Sequence, residues 1–385
     1  MPVNKAIKNV VKRNMDYLLS QINEEGVIDI KLQLHTDGVE IAKSSKVKMW
    51  PLNAIIENLP GKVRVNRNNV ILIAIHISKK MPDFNLFCQR FVNDFNSGHQ
   101  AVLYDVKDEI VQKRTAKKKI RCNMLTGDIP AIRSILNLQA HNCQHGCIHC
   151  YCESVTEIEV YDLRTNASYQ NDLNQLSAAG VSSLYGVKGM SHLGNLIKVP
   201  EDVAIDYFHS VLLGPFKEDI TRIVYGYQSL NNVKEVVKTP GFVQRQMCHF
   251  NDAIEMSIFS SDFKRKLKPL TEIDNYKGLE WKNLMLYAMP TIMSHISNGS
   301  SKSLYLINLS LANAVILLMK DNVNAIETKK CQKQLYQWYN DRTAILGNEA
   351  MTLKVHQMTH LAKNRGTLWQ CVITAVSLAR SLTTI

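Results

Sequence analysis

The sequence predicts a mixed α/β protein in which a strand-rich first third precedes a helix-rich remainder. Three observations lead there. Residues 27–35 (VIDIKLQLH) alternate apolar and polar side chains with the period of two that a half-buried strand requires. Residues 69–77 (NVILIAIHI) form a continuous, largely β-branched run, which predicts a fully buried strand. From residue 141 onward such runs mostly stop, and apolar residues recur at helical spacing instead.

In chain order, residues 5–24 read as an amphipathic helix, and the strand 27–35 is closed by the turn Thr36-Asp37-Gly38. Residues 39–41 and 46–50 are short extended pieces. Asp83 caps a helix to Phe95 with Phe87, Phe91 and Phe95 on one face. Residues 120–125 form another strand, broken by Thr126-Gly127-Asp128. A helix then opens at Ile129, with Asp128 at the N-cap and Pro130 in the first turn. Residues 176–193 are rich in Ser and Gly and read as loop. Helical patterns follow at about 201–228, 249–263, 281–296, 303–320, 326–345 and 349–364. No tandem repeat or low-complexity tract is present.

Apolar residues make up 45% and charged residues 21% of the 385, a globular rather than disordered composition. The net charge of +12 suits a polyanionic partner, nucleic acid or an anionic surface. The excess is clustered: Lys113, Arg114, Lys117, Lys118, Lys119 and Arg121 fall within nine residues. The longest apolar stretch, 304–319, is short for a membrane span and carries Asn308 and Asn313, so it reads as a core helix and no membrane partner is expected. The N-terminus interleaves Lys5, Lys8, Lys12 and Arg13 with short apolar runs, unlike a signal peptide. A reducing compartment follows, where four cysteines within 143–152 favour metal over disulfides.

Two constellations carry chemistry. Asp37 and Asp128 each end a strand, and carboxylates at strand ends of one sheet can converge on divalent metal and clamp a phosphoryl transfer. Taken singly, each has an ordinary reading: a turn residue before Gly38, and a helix cap. The second is Cys147-Ile148-His149-Cys150, a CxxC that needs two further ligands for zinc. Candidates are Cys143, His145, Cys152, His209, His249, His356 and His360. His356 and His360 stand four apart on a predicted helix and share a face. The alternative for that pair is a polar helix face.

Several blocks resemble CACTA-type (CMC superfamily) transposases, in family order from about residue 30 to 370. They are Asp37 to Ser45 with Met49-Trp50-Pro51, Ile120 to Leu136, Gly146 to Cys150, Tyr185 to Gly189, Asp206 to Gly214, and Glu280 to Pro290. The resemblance implies a ribonuclease-H-like core with a large α-helical insertion, and a DDE triad binding Mg²⁺ or Mn²⁺ in which Asp37 and Asp128 are the metal carboxylates. The V(D)J recombinase catalytic domain is similar in having a CxxC soon after the second Asp and paired histidines before the Glu. That implies structural Zn²⁺ on Cys147, Cys150, His356 and His360. The implied organisation is an N-terminal helix 1–26, a first core part 27–140, a zinc-knuckle segment and insertion 141–348, and a final helix with the core end 349–385.

The chain departs from the pattern after Gly366-Thr367-Leu368-Trp369, where the family carries its catalytic Glu. No Asp or Glu follows Glu349, which implies C-terminal truncation or a frame change; Glu280 is the rival third carboxylate. The expectation is a nuclear, transposase-derived protein, ancestrally a metal-dependent DNA strand-cleavage and strand-transfer enzyme and inactive here. It would bind double-stranded DNA and self-associate. The alternative is a non-catalytic, zinc-stabilised DNA-binding or adaptor protein.

Overall fold

The computed structural model describes residues 3–42, 46–97, 104–106, 114–153, 162–230, 236–259, 263, 265–320 and 322–364. These fall into two units, Met1–Tyr151 with Asp162–Ala204, and Ile205–Trp369 with Cys152–Tyr161.

The first unit is α/β around a mixed sheet. Its strands are β1 (Val27–Thr36), β2 (Val39–Ala42), β3 (Val47–Ile56), β4 (Ile71–Ser78), β5 (Tyr104–Val106) and β6 (Arg114–Gly127), in the order β2-β3-β1-β6-β5 with β4 also on β3. β3 runs antiparallel to β1, β2 and β4, whereas β1 and β6 are parallel. An isolated parallel bridge joins Leu125 to Val203. The alternation read in residues 27–35 is real: Ile28, Ile30, Leu32 and Leu34 are buried on one face. On the other face the strand is partly open at Asp29 and Lys31 but buried from Gln33 onward, with His35, Asn53 and Thr126 alongside.

The N-terminal segment folds as two helices, Val3–Arg13 and Met15–Leu19, not one; Asn14 interrupts them with ψ near 25°. Val3, Ala6, Ile7, Val10 and Val11 face the same core as the helix Phe84–Ser97. That helix begins where expected, the Asp83 carboxylate accepting from Asn85 N at 2.9 Å. The β-branched run at 69–77 is not a fully buried strand. β4 is an edge strand, and Leu72, Ile75 and Ile77 are exposed. Continuous apolarity identified the strand, but its place in the sheet decided its exposure. The loop expected over 176–193 begins later: Leu176 to Ala179 belong to a helix, Asn166–Ala179, opened by a Thr165–Ser168 capping box and closed by Gly180 in the left-handed region at φ 65°.

The second unit is helical except for a hairpin, β7 (Gly226–Leu230) with β8 (Val236–Pro240), which the sequence pattern did not reveal. The helix expected over 201–228 divides into Tyr207–Phe216 and Lys217–Tyr225, and that over 281–296 into Gly278–Asn283, Leu284–Met293 and Ser294–Ile296. Tyr207–Phe216 and Leu284–Met293 are π-helical and contain Pro215 and Pro290. Proline removes an N–H and crowds the preceding turn, and a wider turn accommodates both. The helix expected over 349–364 is reduced to Leu353–Gln357 and a 3₁₀ turn Met358–His360. Gly299–Leu318 is long and apolar enough to cross a membrane by composition alone. Leu304, Leu311, Val315 and Leu318 are buried in the fold, and the helix packs on Ala325–Leu346. Asp219 is fully buried there, bound by Arg342 at 2.8 Å and by Asn308 at 3.2 Å.

Candidate metal centres

β1 and β6 are in register from Gln33↔Met124 to Thr36↔Gly127. Asp37 and Asp128 are each the next residue, so they leave neighbouring parallel strands side by side at one end of the sheet. Two glycines shape that end. A Cβ on Gly127 would stand 2.5 Å from the Thr36 carbonyl oxygen, and one on Gly38 would stand 2.7 Å from the Trp50 ring. Only residues without side chains let the strands and Trp50 approach so closely. Trp50 in turn meets Phe84 edge-on at 5.9 Å. Both aspartates are partly buried. Asp128 is also the helix cap read from the sequence: its Oδ1 accepts from Ala131 N at 2.7 Å. A carboxylate has about four lone-pair sites, so capping and cation binding are compatible.

Glu280 belongs to the second unit. It is 1% exposed, and its Oε2 accepts from Lys277 N at 2.6 Å, closing the N-terminus of Gly278–Asn283. That accounts for one carboxylate oxygen as a helix cap. Residues 366–385, where the third carboxylate of the resembling family would be sought, lie outside the described residues.

Cys147, Cys150, Cys152 and His356 are all buried, and their ligand atoms all lie within 4.8 Å of one another. None of the eight described cysteines is in a disulfide. Local structure sets this up. The His149 amide donates to Cys147 Sγ at 3.3 Å, and Cys150 bridges to Leu163 as a short β pair. Cys150 and Cys152 are two apart in extended chain, which puts both thiols on one side. Cys152 Sγ stands 3.5 Å from His356 Nε2. Zinc held tetrahedrally with the usual Zn–S and Zn–N lengths would place a sulfur and a nitrogen ligand about 3.6 Å apart. The donors therefore fit a metal such as zinc in a Cys3His set. Of the expected Cys147, Cys150, His356 and His360, the first three stand in this cluster with Cys152 beside them, and His360 adjoins it with its Nε2 3.1 Å from His356 Nε2. A CxxCxC spacing was visible in the sequence and is the signal that could have chosen Cys152.

The remaining candidates lie elsewhere. His209 pairs with the Asp206 carboxylate, His249 is exposed on the helix Gln244–Met256, and His145 packs edge-on to Tyr185. Of the basic cluster, Lys119 is exposed and Arg121 pairs with Asp29 at 3.0 Å. Lys113 and the side chains of 114–118 lie outside the described residues.

Residues 6–193 match the family model described as Protein of unknown function (DUF1258). The match covers Asp37, Asp128 and all three cysteines of the cluster, and stops short of His356. No curated protein matches the chain.

Proposed function

We propose that the chain is a transposase-derived, duplex-DNA-binding protein whose first unit is a ribonuclease-H-like core, stabilised by zinc and, in these 385 residues, short of the third catalytic carboxylate. One observation carries the proposal: Asp37 and Asp128 leave adjacent parallel strands in register, at one sheet end. Carboxylates so placed suit Mg²⁺ or Mn²⁺, hard cations that take few protein oxygens and keep several waters. In strand transfer such ions position the attacking and leaving oxygens of a phosphodiester. The Asp37 and Asp128 carboxylates would hold them, and the excess positive charge of the chain would attract the DNA backbone. Zinc, held by Cys147, Cys150, Cys152 and His356, would supply folding free energy rather than chemistry.

Two-ion phosphoryl transfer needs both ions placed together, because positioning and charge neutralisation supply nearly all the rate. Glu280 is buried on a helix of the second unit, where one of its oxygens caps that helix, and residues 350–385 contain no Asp or Glu. DNA binding with little or no cutting is therefore the expected activity. A nuclear location and self-association belong to the same proposal.

The test uses purified protein, plasmid and linear duplex in Mg²⁺ or Mn²⁺. Binding without nicking, with Mn²⁺ affinity lost in Asp37→Asn and Asp128→Asn, is expected. Robust nicking would overturn the missing-carboxylate argument and make Glu280→Gln the next variant. Equal Mn²⁺ affinity in both aspartate variants would remove the catalytic ancestry altogether.

A further inference from the structure

Arg133 is 3% exposed, yet among the described residues no carboxylate lies within ion-pair distance of it. Burying a guanidinium without a counter-charge is costly, so its surroundings should supply one. They are unusual. Arg133 lies on the helix Ile129–Ile135 that Asp128 caps, and its three nitrogens are spread over the loop leading into the CxxC. Nε donates to the Gln139 carbonyl, Nη1 to the Gly146 carbonyl at 2.6 Å, and Nη2 points to Cys143 Sγ at 3.8 Å. Gly146 directly precedes Cys147. Arg133 and Cys147 also line one small cavity with His145, Arg164 and Tyr169. The other guanidinium there is already neutralised, since Arg164 pairs with buried Asp172 at 3.2 Å. What remains to balance Arg133 is sulfur.

The cluster has the complementary need. Three thiolates outweigh a divalent ion by one charge, and metal binding requires those thiols deprotonated. We propose that Arg133 is the counter-cation and positioning residue of the cysteine cluster, holding the Cys147 loop and offsetting the excess charge of its thiolates once a divalent metal is bound. This rests on the proposal that the cluster holds such a metal. Neighbours that orient and charge-balance ligands typically alter metal affinity 10–100-fold when removed.

The experiment compares the full chain with Arg133→Gln, which keeps a donor for the loop carbonyls but no charge, and Arg133→Lys, which keeps charge but not the fork. Zn²⁺ affinity is read by competition with a chromogenic chelator, and Co²⁺ loading by its visible thiolate bands. Arg133→Gln should bind Zn²⁺ about 10–100-fold more weakly while Co²⁺ gives the wild-type band shape, and Arg133→Lys should recover most of the affinity. Wild-type affinity in Arg133→Gln, with apo and loaded forms destabilised equally, would overturn the inference and leave Arg133 a loop clamp. A wild-type chain that binds neither ion would instead remove the metal reading beneath it. If Arg133→Gln does not fold, Arg133→Lys decides: a loss as large as 10–100-fold with charge retained contradicts charge compensation.

Discussion

At the scale of single residues, burial separates the cysteines. Cys88 is 1% exposed, and burial pushes its thiol up to about 12. Cys248 is exposed on its helix. A thiol reagent at pH 8 should therefore label Cys248 in the native protein and Cys88 only on unfolding. The cluster cysteines should label when a chelator is added, if they hold metal. The Cys88 shift also has a sign. The unfolded thiol releases its proton near 9, the folded one only near 12, so the native state holds more protons in between. Cys88 therefore makes the fold lose stability as pH rises from about 9 to about 12, and Cys88→Ala should flatten that part of a stability–pH curve.

Arg342 and Asp219 give a second residue-scale case. Both are fully buried, joined by hydrogen bonds from Nε and Nη2, while Nη1 binds the Ala350 carbonyl at 2.6 Å. Arg342→Met removes these charged hydrogen bonds but leaves Asp219 paired with Arg222 at 3.0 Å, so it should cost about 1.5–3 kcal/mol rather than the larger penalty of an orphaned charge. Chemical denaturation measures it, and a cost below about 1 kcal/mol would mean that the pair is dispensable.

Among the elements, the parallel pair β1–β6 decides most about the aspartates. Gly127 is opposite Thr36, and a methyl there has no room against the Thr36 carbonyl. Gly127→Ala should destabilise the fold by about 1–3 kcal/mol, the usual cost of overpacking. It should also weaken Mn²⁺ binding, because it spreads the strand ends that carry Asp37 and Asp128. Unchanged affinity in a destabilised but folded variant would show that the two aspartates do not act on one ion. Gly38→Ala, which meets the Trp50 ring rather than backbone, is the milder comparison.

For the whole molecule, a net charge of +12 predicts duplex binding that is mainly electrostatic. The logarithm of the binding constant should fall with the logarithm of salt by roughly 0.9 per phosphate contacted. Binding indifferent to salt would exclude this. Metal analysis should find one zinc per chain, lost in Cys147→Ser with Cys150→Ser. Losing it should lower the melting temperature, because a ligand that binds only the folded state stabilises it. Cys152→Ser should remove zinc as completely, whereas His360→Ala should leave it bound; the reverse outcome would restore the Cys2His2 set.

What could be read in the residues was local. Alternation in 27–35, the strand end before Asp37-Gly38, the Asp128 cap with Pro130 after it, and the CxxC all follow from side-chain period and backbone chemistry within a few positions. Where strands pair is a different kind of information. That β4 lies at an edge, that β1 and β6 run parallel with Thr36 opposite Gly127, and that Cys152 stands 3.5 Å from His356, 204 positions away, depend on contacts distant in sequence. The π-helical turns at Pro215 and Pro290 were hidden because apolar spacing alone does not register the width of a helix. The sequence by itself determined which residues could cap, turn or ligate. The tertiary structure decided which stood together, because partners so far apart in the chain are chosen by packing and register and not by neighbours.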